Sequence, residues 1–262
     1  MDLGLQRRVA IVAASSQGLG FAVAQALAAE GCNLAMCARN ADRLRAAAEQ
    51  ISTSQNAEVF DRALDVTDRA AVEKFILDTA ARFGRVDICV ASSGGPPAKE
   101  FLKTTPEEWQ QAVAGNLFSV IYFAQAVLPH MQRNRWGRII TITSITTKQP
   151  EPKLVLSNGV RTGVMGLVRS LANEFGKDGI LVNNVGPGYT ATDRLKNLAR
   201  MRAASGGEAE EQIWRGWSAA SPLNRVGEPR ELADTVVFLA SERASFITGQ
   251  TILVDGGAYK GL

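Results

Sequence analysis

Short apolar runs alternate with amphipathic stretches from one end of this chain to the other, and no other feature restricts the fold as much. Segments 9–13, 33–37, 58–64, 87–91, 138–143, 180–185 and 251–254 are β-branched or nearly continuous in apolar character. Such segments read as strands buried on both faces, as in a parallel sheet. Parallel strands need long crossovers, and the intervening stretches supply them as helices. Residues 18–30 put Phe21, Ala24, Leu27 and Ala28 on one face and stop at Gly31. Residues 68–83 do the same with Val72, Phe75, Ile76 and Thr79, and end at Gly84. Glycine just past the last periodic position is a helix stop. Thr105-Pro106-Glu107-Glu108 is a helix start, with proline in the first turn and acids beside the positive dipole end. The pattern predicts an α/β fold: a Rossmann-type doubly wound parallel sheet of about seven strands with helices on both faces.

A length of 262 residues suits one large domain, 1–262, and no repeat, low-complexity tract or linker-like shift divides it. Lys plus Arg is 29 and Asp plus Glu is 26, a net charge of +3, with no basic run longer than a pair. That leaves no electrostatic footprint for nucleic acid. The apolar run from Val9 to Ala14 is far too short to span a membrane and passes directly into polar turn residues, which makes it a poor signal peptide. Cys32, Cys37 and Cys89 lack metal-ligand spacing and read as reduced thiols, the last two on buried strands, in a cytoplasmic protein. With His130 the only histidine, no multi-histidine metal centre can form, and no metal is expected.

One stretch breaks the rhythm. Residues 192–222 hold Ser205-Gly206-Gly207, a cluster of acids, Trp214 and Trp217, with no strand signal. Ligands bind beyond the carboxyl ends of parallel strands, so this insertion can serve as a lid over a substrate cleft; the alternative is a surface helical excursion whose tryptophans pack on the body.

After the first strand comes Ala14-Ser15-Ser16-Gln17-Gly18-Leu19-Gly20, and a helix follows at once. In that context glycine lets the backbone approach a pyrophosphate, which rests on the free N–H groups and positive dipole of the helix. The plain alternative is a tight connection. The second strand is followed by Ala38-Arg39-Asn40, where an acid would bind an adenosine 2′-hydroxyl; Arg39 is placed instead to meet a 2′-phosphate, favouring NADP(H) over NAD(H), unless it is simply solvated.

With these features in place, nearly the whole chain resembles the short-chain dehydrogenase/reductase family, nearest its β-ketoacyl-acyl-carrier-protein-reductase-like group. Ala14, Gly18, Leu19 and Gly20 match the glycine motif, with alanine for the first glycine, and flank Ser16 and Gln17. Asp65-Val66 matches the segment that contacts adenine, and Ser92-Ser93-Gly94 stands where the family has Asn-Ala-Gly. Asn116 matches the helix asparagine and Ser144 the serine at the end of the fifth strand. Pro187-Gly188, Thr190 and Thr192 match the segment that lines the nicotinamide. The resemblance implies these residues as cofactor ligands, with Ser144 and Asn116 in the catalytic group.

The family places Tyr-x-x-x-Lys on the helix after the fifth strand. Counting back from Gly166-Leu-Val-Arg-Ser-Leu-Ala172 puts Ser157 at the tyrosine position and Arg161 at the lysine position, and no tyrosine lies between Tyr122 and Tyr189. Arg161 keeps the charge that would hold the nicotinamide ribose but cannot shuttle a proton. Ser157 is a far poorer acid than a phenol. Lys148, Lys153 or water are the candidate replacements for the proton donor; Tyr189, near the nicotinamide segment, matches a position the family often fills with an apolar or aromatic packing residue, and His130 near a helix end reads as a cap. Three functions follow: an NADP(H)-dependent carbonyl reductase with an atypical proton donor, a non-catalytic NADP(H)-binding or sensor protein, or a reductase of an activated C=C or C=N bond. The partners expected are a small-molecule substrate and further copies of the chain. Helices 106–133 and 155–175, with small residues Gly159, Gly163 and Gly166, are the surfaces the family pairs into dimers or tetramers.

Overall fold

The structure is a computed structural model that describes residues 1–262, apart from the side chain of Ser205. Seven parallel strands, β1 (Val9–Ala13), β2 (Asn33–Ala38), β3 (Val59–Ala63), β4 (Ile88–Ala91), β5 (Gly137–Ile142), β6 (Ile180–Pro187) and β7 (Thr251–Val254), form one sheet in the order β3-β2-β1-β4-β5-β6-β7. The order of winding reverses between β1 and β4, the switch point of a doubly wound sheet, where a crevice opens beyond the strand ends. The carboxylate of Asp87 closes the other end of that junction. It accepts from the Val9 N–H at 2.9 Å and from the Arg85 guanidinium at 2.6 and 2.7 Å, tying the strands that border the crevice.

Helices α1 (Gly18–Ala29), α2 (Ala41–Gln55) and α9 (Pro229–Ala240) cover one face. Leu27, Leu34, Leu44, Ile51 and Val236 are among the buried residues there. Helices α3 (Arg69–Phe83), α4 (Pro106–Val113), α5 (Ser119–Asn134) and α6 (Val155–Phe175) lie on the other, where Phe75, Ile76, Phe123, Met131 and Val164 form the second core layer. Each such side chain contributes about 1.5–3 kcal/mol on burial. The central strands are buried on both faces as expected, but β3 and β7 are only half-covered. They are the sheet's edges, and Asp61 and Arg62 put one charged side chain on each face of β3, which apolar periodicity alone obscured. Gly31 and Gly84 adopt positive φ (81° and 74°) at their helix ends, as helix stops require.

One expectation is corrected. His130 sits inside α5 after Pro129 rather than at a cap, and its imidazole makes no hydrogen bond among the described residues. Burial and then Arg133 hold its pKa low. Gly159, Gly163 and Gly166 all lie on the exposed side of α6, where a Cβ on Gly159 would lie 3.1 Å from the Trp109 ring and one on Gly163 3.7 Å from Leu117. Only Gly166 of that set faces open space. The helical run Pro106–Asn134 is long and apolar enough to cross a membrane by length and composition, and in this fold its Val120, Phe123, Ala124, Val127 and Met131 face is buried against the core.

Candidate active site

The glycine turn after β1 has the shape of an anion seat. Helix α1 starts with no side-chain cap and no acid in its first turn, leaving its N–H groups free for a negative ligand. Gly18 sits at φ 60°, and Ala14, the family's glycine position, is held at φ 52°, a region costly for an alanine. Gly20 is required sterically, because a Cβ there would run into the Ala14 carbonyl. Gly94, after β4, has open space where a side chain would stand. This turn, uncapped helix and small-residue rim fit a dinucleotide pyrophosphate.

The remaining predicted cofactor residues come to the same edge, since all follow the carboxyl ends of β1 to β6. Arg39 follows β2, is exposed, and forms no hydrogen bond or ion pair among the described residues. Asp65 follows β3 and folds onto Thr67. The Thr67 N–H, then its hydroxyl and Arg39, hold the carboxyl below its ordinary pKa. Val66 packs beside it against the core. Ser92 and Ser93 follow β4, and the Ser93 hydroxyl donates to Asn116 Oδ1 at 3.4 Å. Pro187 ends β6, and Gly188 lies so close to β7 that a Cβ would stand 2.7 Å from Asp255 Cα. Thr190 Oγ1 bonds the Gly188 carbonyl, and Thr192 caps the next helix through the Leu195 N–H at 3.3 Å. Ser16 lines the turn, half-buried. Gln17 accepts from Arg43 at 2.6 Å and, with Arg43, borders a crevice of about 620 Å³ whose far wall is Asp193, Lys196, Asn197 and Arg200.

The catalytic candidates form one connected group. Between α4 and α5 the backbone makes a π turn, Ala114–Phe118, the local distortion expected of a mid-helix asparagine. Asn116 Nδ2 donates to the Ala112 carbonyl at 3.2 Å, while its Oδ1 accepts from Arg161 Nε at 3.0 Å. Arg161 also donates through Nη1 to the Thr143 carbonyl, at the end of β5 beside Ser144. Burial first, and then the like charge of Arg194, lower its pKa to about 10, so it remains a cation at neutral pH. The Ser144 hydroxyl accepts from the Thr146 N–H at 3.1 Å and retains its own proton to donate.

Ser157 behaves differently. Its hydroxyl is buried against Thr146 Oγ1 at 3.1 Å and faces that partner. Lys148 is exposed, and Lys153 pairs with Glu100 at 3.8 Å. Tyr189 stacks on Trp217 with ring centroids 5.3 Å apart, and Trp217 meets Trp214 edge-on at 5.4 Å. Burial and then Glu151 push its phenol above the ordinary range. The 192–222 excursion is two helices, α7 (Asp193–Gly206) and α8 (Glu210–Ala219), with a small core of Leu195, Ala199, Ile213 and Trp217.

Two contributors were missed in the sequence. The Thr143 main-chain carbonyl leaves no sequence trace. Arg194, in the first turn of α7, reaches across to the Pro96 carbonyl at 3.1 Å, and its signal was available: a cation at a helix N-terminus opposes the dipole.

A crevice at the switch point, a free helix N-terminus and a Ser–Asn–Arg group beside it define a nicotinamide-dependent oxidoreductase of the doubly wound class. Residues 13–259 match a family model described as Enoyl-(Acyl carrier protein) reductase, and the chain belongs to the short-chain dehydrogenase/reductase family. It is 34% identical over 257 residues to the 3-oxoacyl-[acyl-carrier-protein] reductase FabG of Escherichia coli, covering 98% of this chain and 99% of that one. The FabG of Aquifex aeolicus is 30% identical over 259 residues, covering 99% and 100%. Among solved structures, L-sorbose reductase from Gluconobacter frateurii, complexed with NADPH and L-sorbose, superposes with a TM-score of 0.95 at 30% identity over 100% of both chains. YwfH, an NADPH-dependent reductase involved in bacilysin biosynthesis, does so with a TM-score of 0.92 at 29% identity, covering 98% of this chain and 100% of that one. The chain is therefore an NAD(P)-dependent reductase of this family, similar to the ketoacyl reductases.

Proposed function

We infer that the chain is an NADP(H)-dependent carbonyl reductase, acting on a β-ketoacyl-like or related small molecule without a tyrosine acid. The observation that carries this reading is the anchor of Arg161 to Asn116 and the Thr143 carbonyl, beside an intact pyrophosphate seat at α1. A protein that only bound the nucleotide would have little use for the Ser144 hydroxyl and the π turn at that anchor. When bound, the nicotinamide supplies a hydride. Arg161 holds the ribose side of the crevice, Arg39 meets the 2′-phosphate, and Ser144 donates a hydrogen bond to the substrate oxygen. Asp65 and Val66 border the adenine, and Pro187, Gly188, Thr190 and Thr192 line the nicotinamide side. Helices α7 and α8, the 192–222 insertion of a single 1–262 domain, cover the substrate. The proton comes from solvent.

The engagement of Ser157 with Thr146 favours a second reading, reduction of an activated C=C or C=N bond, where a strong acid at the reacting oxygen matters less. We further propose a cytoplasmic homo-oligomer, a dimer or tetramer. Phe118, 44% exposed and stacked on Tyr122 at 6.0 Å, gives the α4–α5 surface an apolar face for another copy.

Titration with NADPH and NADH tests the cofactor. NADPH should bind more tightly, and Arg39→Ala should weaken it about tenfold or more while leaving NADH unchanged, the loss expected of a charged hydrogen bond. Failure to bind either nucleotide overturns the reductase reading. Turnover of β-ketoacyl thioesters, diketones and imines should then be compared with the Ser157→Tyr/Arg161→Lys double variant. A gain in ketone reduction of about 10²-fold or more supports the missing-acid account. A folded double variant with no gain removes it.

A further inference from the structure

We propose that the crevice between the glycine turn and the lid seats the nucleotide's 2′-phosphate, held by Arg43 from α2 and by Lys196 and Arg200 from α7. The lid itself then reads which cofactor is bound. This rests on the reductase reading above and extends its cofactor half. Two walls face each other across about 620 Å³: Gln17 and Arg43 form one, and Asp193, Lys196, Asn197 and Arg200 form the other. Three cations against one acid make the space basic.

The first wall belongs to the cofactor turn. Gln17 stands one residue before Gly18, where α1 begins, and its Oε1 accepts from Arg43 Nη1 at 2.6 Å. That bond tethers a guanidinium from the first turn of α2 to the glycine turn. The Asn40 side chain fixes the same turn by accepting the Arg43 N–H at 2.8 Å. The tether uses one guanidinium donor and leaves the others able to reach phosphate oxygens.

The second wall is the polar face of α7. Residues 193, 196, 197 and 200 share one side of that helix by its periodicity, while Leu195 and Ala199 point into the small core of the lid. Lys196 and Arg200 make loose contacts along their own face, to Asp193 at 3.6 Å and Asn197 at 3.5 Å, which a phosphate can replace. Thr192, the N-cap of α7, lies over the turn: a Cβ on Gly18 would stand 3.7 Å from its methyl. The lid helix therefore starts on the pyrophosphate seat and runs beside it.

Sheet order selects the part of the nucleotide that this crevice meets. In the reading above, Asp65 and Val66 border the adenine after β3 and the pyrophosphate rests after β1. Between them lies β2, whose connection to α2 carries both Arg39 and Arg43. The nicotinamide segment follows β6, on the far side of the switch point. What stands between adenine and pyrophosphate is the ribose, and its 2′-phosphate separates NADP(H) from NAD(H). Such a phosphate carries about 1.5–2 negative charges at pH 7, which suits more cations than Arg39 alone.

The test is calorimetric titration of 2′,5′-ADP, 5′-AMP, NADPH and NADH into the wild type, Arg43→Gln and the double variant Lys196→Gln/Arg200→Gln. The first two ligands differ only in the 2′-phosphate. All three substituted side chains are exposed, and NADH affinity shows in each protein that the seat is intact. The wild type should bind 2′,5′-ADP about tenfold or more tightly than 5′-AMP, with Arg43→Gln removing most of that margin. The lid double variant should lower it about threefold, an effect that shrinks as salt is raised. NADH should bind all three proteins alike. A margin unchanged in both variants overturns the proposal and leaves the reductase reading standing on Arg39. A margin lost in Arg43→Gln but unchanged in the double variant removes the lid from the site and overturns it too. Equal losses of NADPH and NADH also overturn it, assigning these cations to the pyrophosphate. A wild type that binds no nucleotide overturns both this proposal and the reductase reading.

Discussion

Ala14 offers the sharpest test of the physics at the glycine turn. It holds φ 52°, where the Cβ of an L-residue crowds the following carbonyl at a cost of about 1–2 kcal/mol. Glycine removes that cost but frees the unfolded chain by about 0.5–1 kcal/mol. Ala14→Gly should therefore stabilise the protein by about 0.5–1 kcal/mol. Its neighbour Ala13 is the control, buried in β1 with ordinary strand geometry. Ala13→Gly loses about 0.8 kcal/mol of methyl burial plus the same backbone entropy, a destabilisation of about 1.3–1.8 kcal/mol. The two variants, one residue apart, should differ by roughly 2 kcal/mol with opposite signs. Urea unfolding at one fixed protein concentration measures both, and NADPH titration shows whether the relaxed turn still binds. Equal destabilisation by both substitutions would refute the assignment of strain to Ala14.

Gly20→Ala should cost about 1–3 kcal/mol and weaken dinucleotide binding, because the added methyl would push α1 away from the Ala14 carbonyl; thermal unfolding and NADPH titration read the two effects. The thiols should be silent toward a disulfide reagent in the native protein at about pH 8 and react fully in concentrated guanidinium. Burial pushes Cys32 and Cys37 up to about 12 and Cys89 higher still. Glu231, bonded by Arg225 and the Glu228 N–H, has its carboxyl lowered from 4.5 to about 2. Its contribution is thus complete above about pH 4.5 and lost as pH falls toward about 2, because the unfolded chain takes up the proton first. Arg225→Ala should flatten the acid limb of stability over that window, only slightly because the pair is exposed; urea midpoints across the acid range measure it.

Much of the architecture was legible along the chain because it follows from local rules. Periodicity located all seven strands, and Gly31 and Gly84 marked helix ends. The edge character of β3 was not legible, since which strand lies outermost depends on pairing order. The site divides the same way. The glycine turn, Arg39 and the Ser157/Arg161 departure stand in the sequence at known spacings from strand ends. The partners of those residues do not. Ser157 turned onto Thr146, the hold of Asn116 and the Thr143 carbonyl on Arg161, and the reach of Arg194 to Pro96 join residues 11, 45, 18 and 98 positions apart.

Local chemistry by itself thus determined a layered sheet with a phosphate-accepting turn and a cleft without a phenol, because backbone propensity and side-chain type act over a few residues. Only the folded chain decided which hydroxyl turns onto a buried partner and which carbonyl fixes the Arg161 guanidinium. Those facts depend on distance in space, which the crossover connections set and no local spacing encodes.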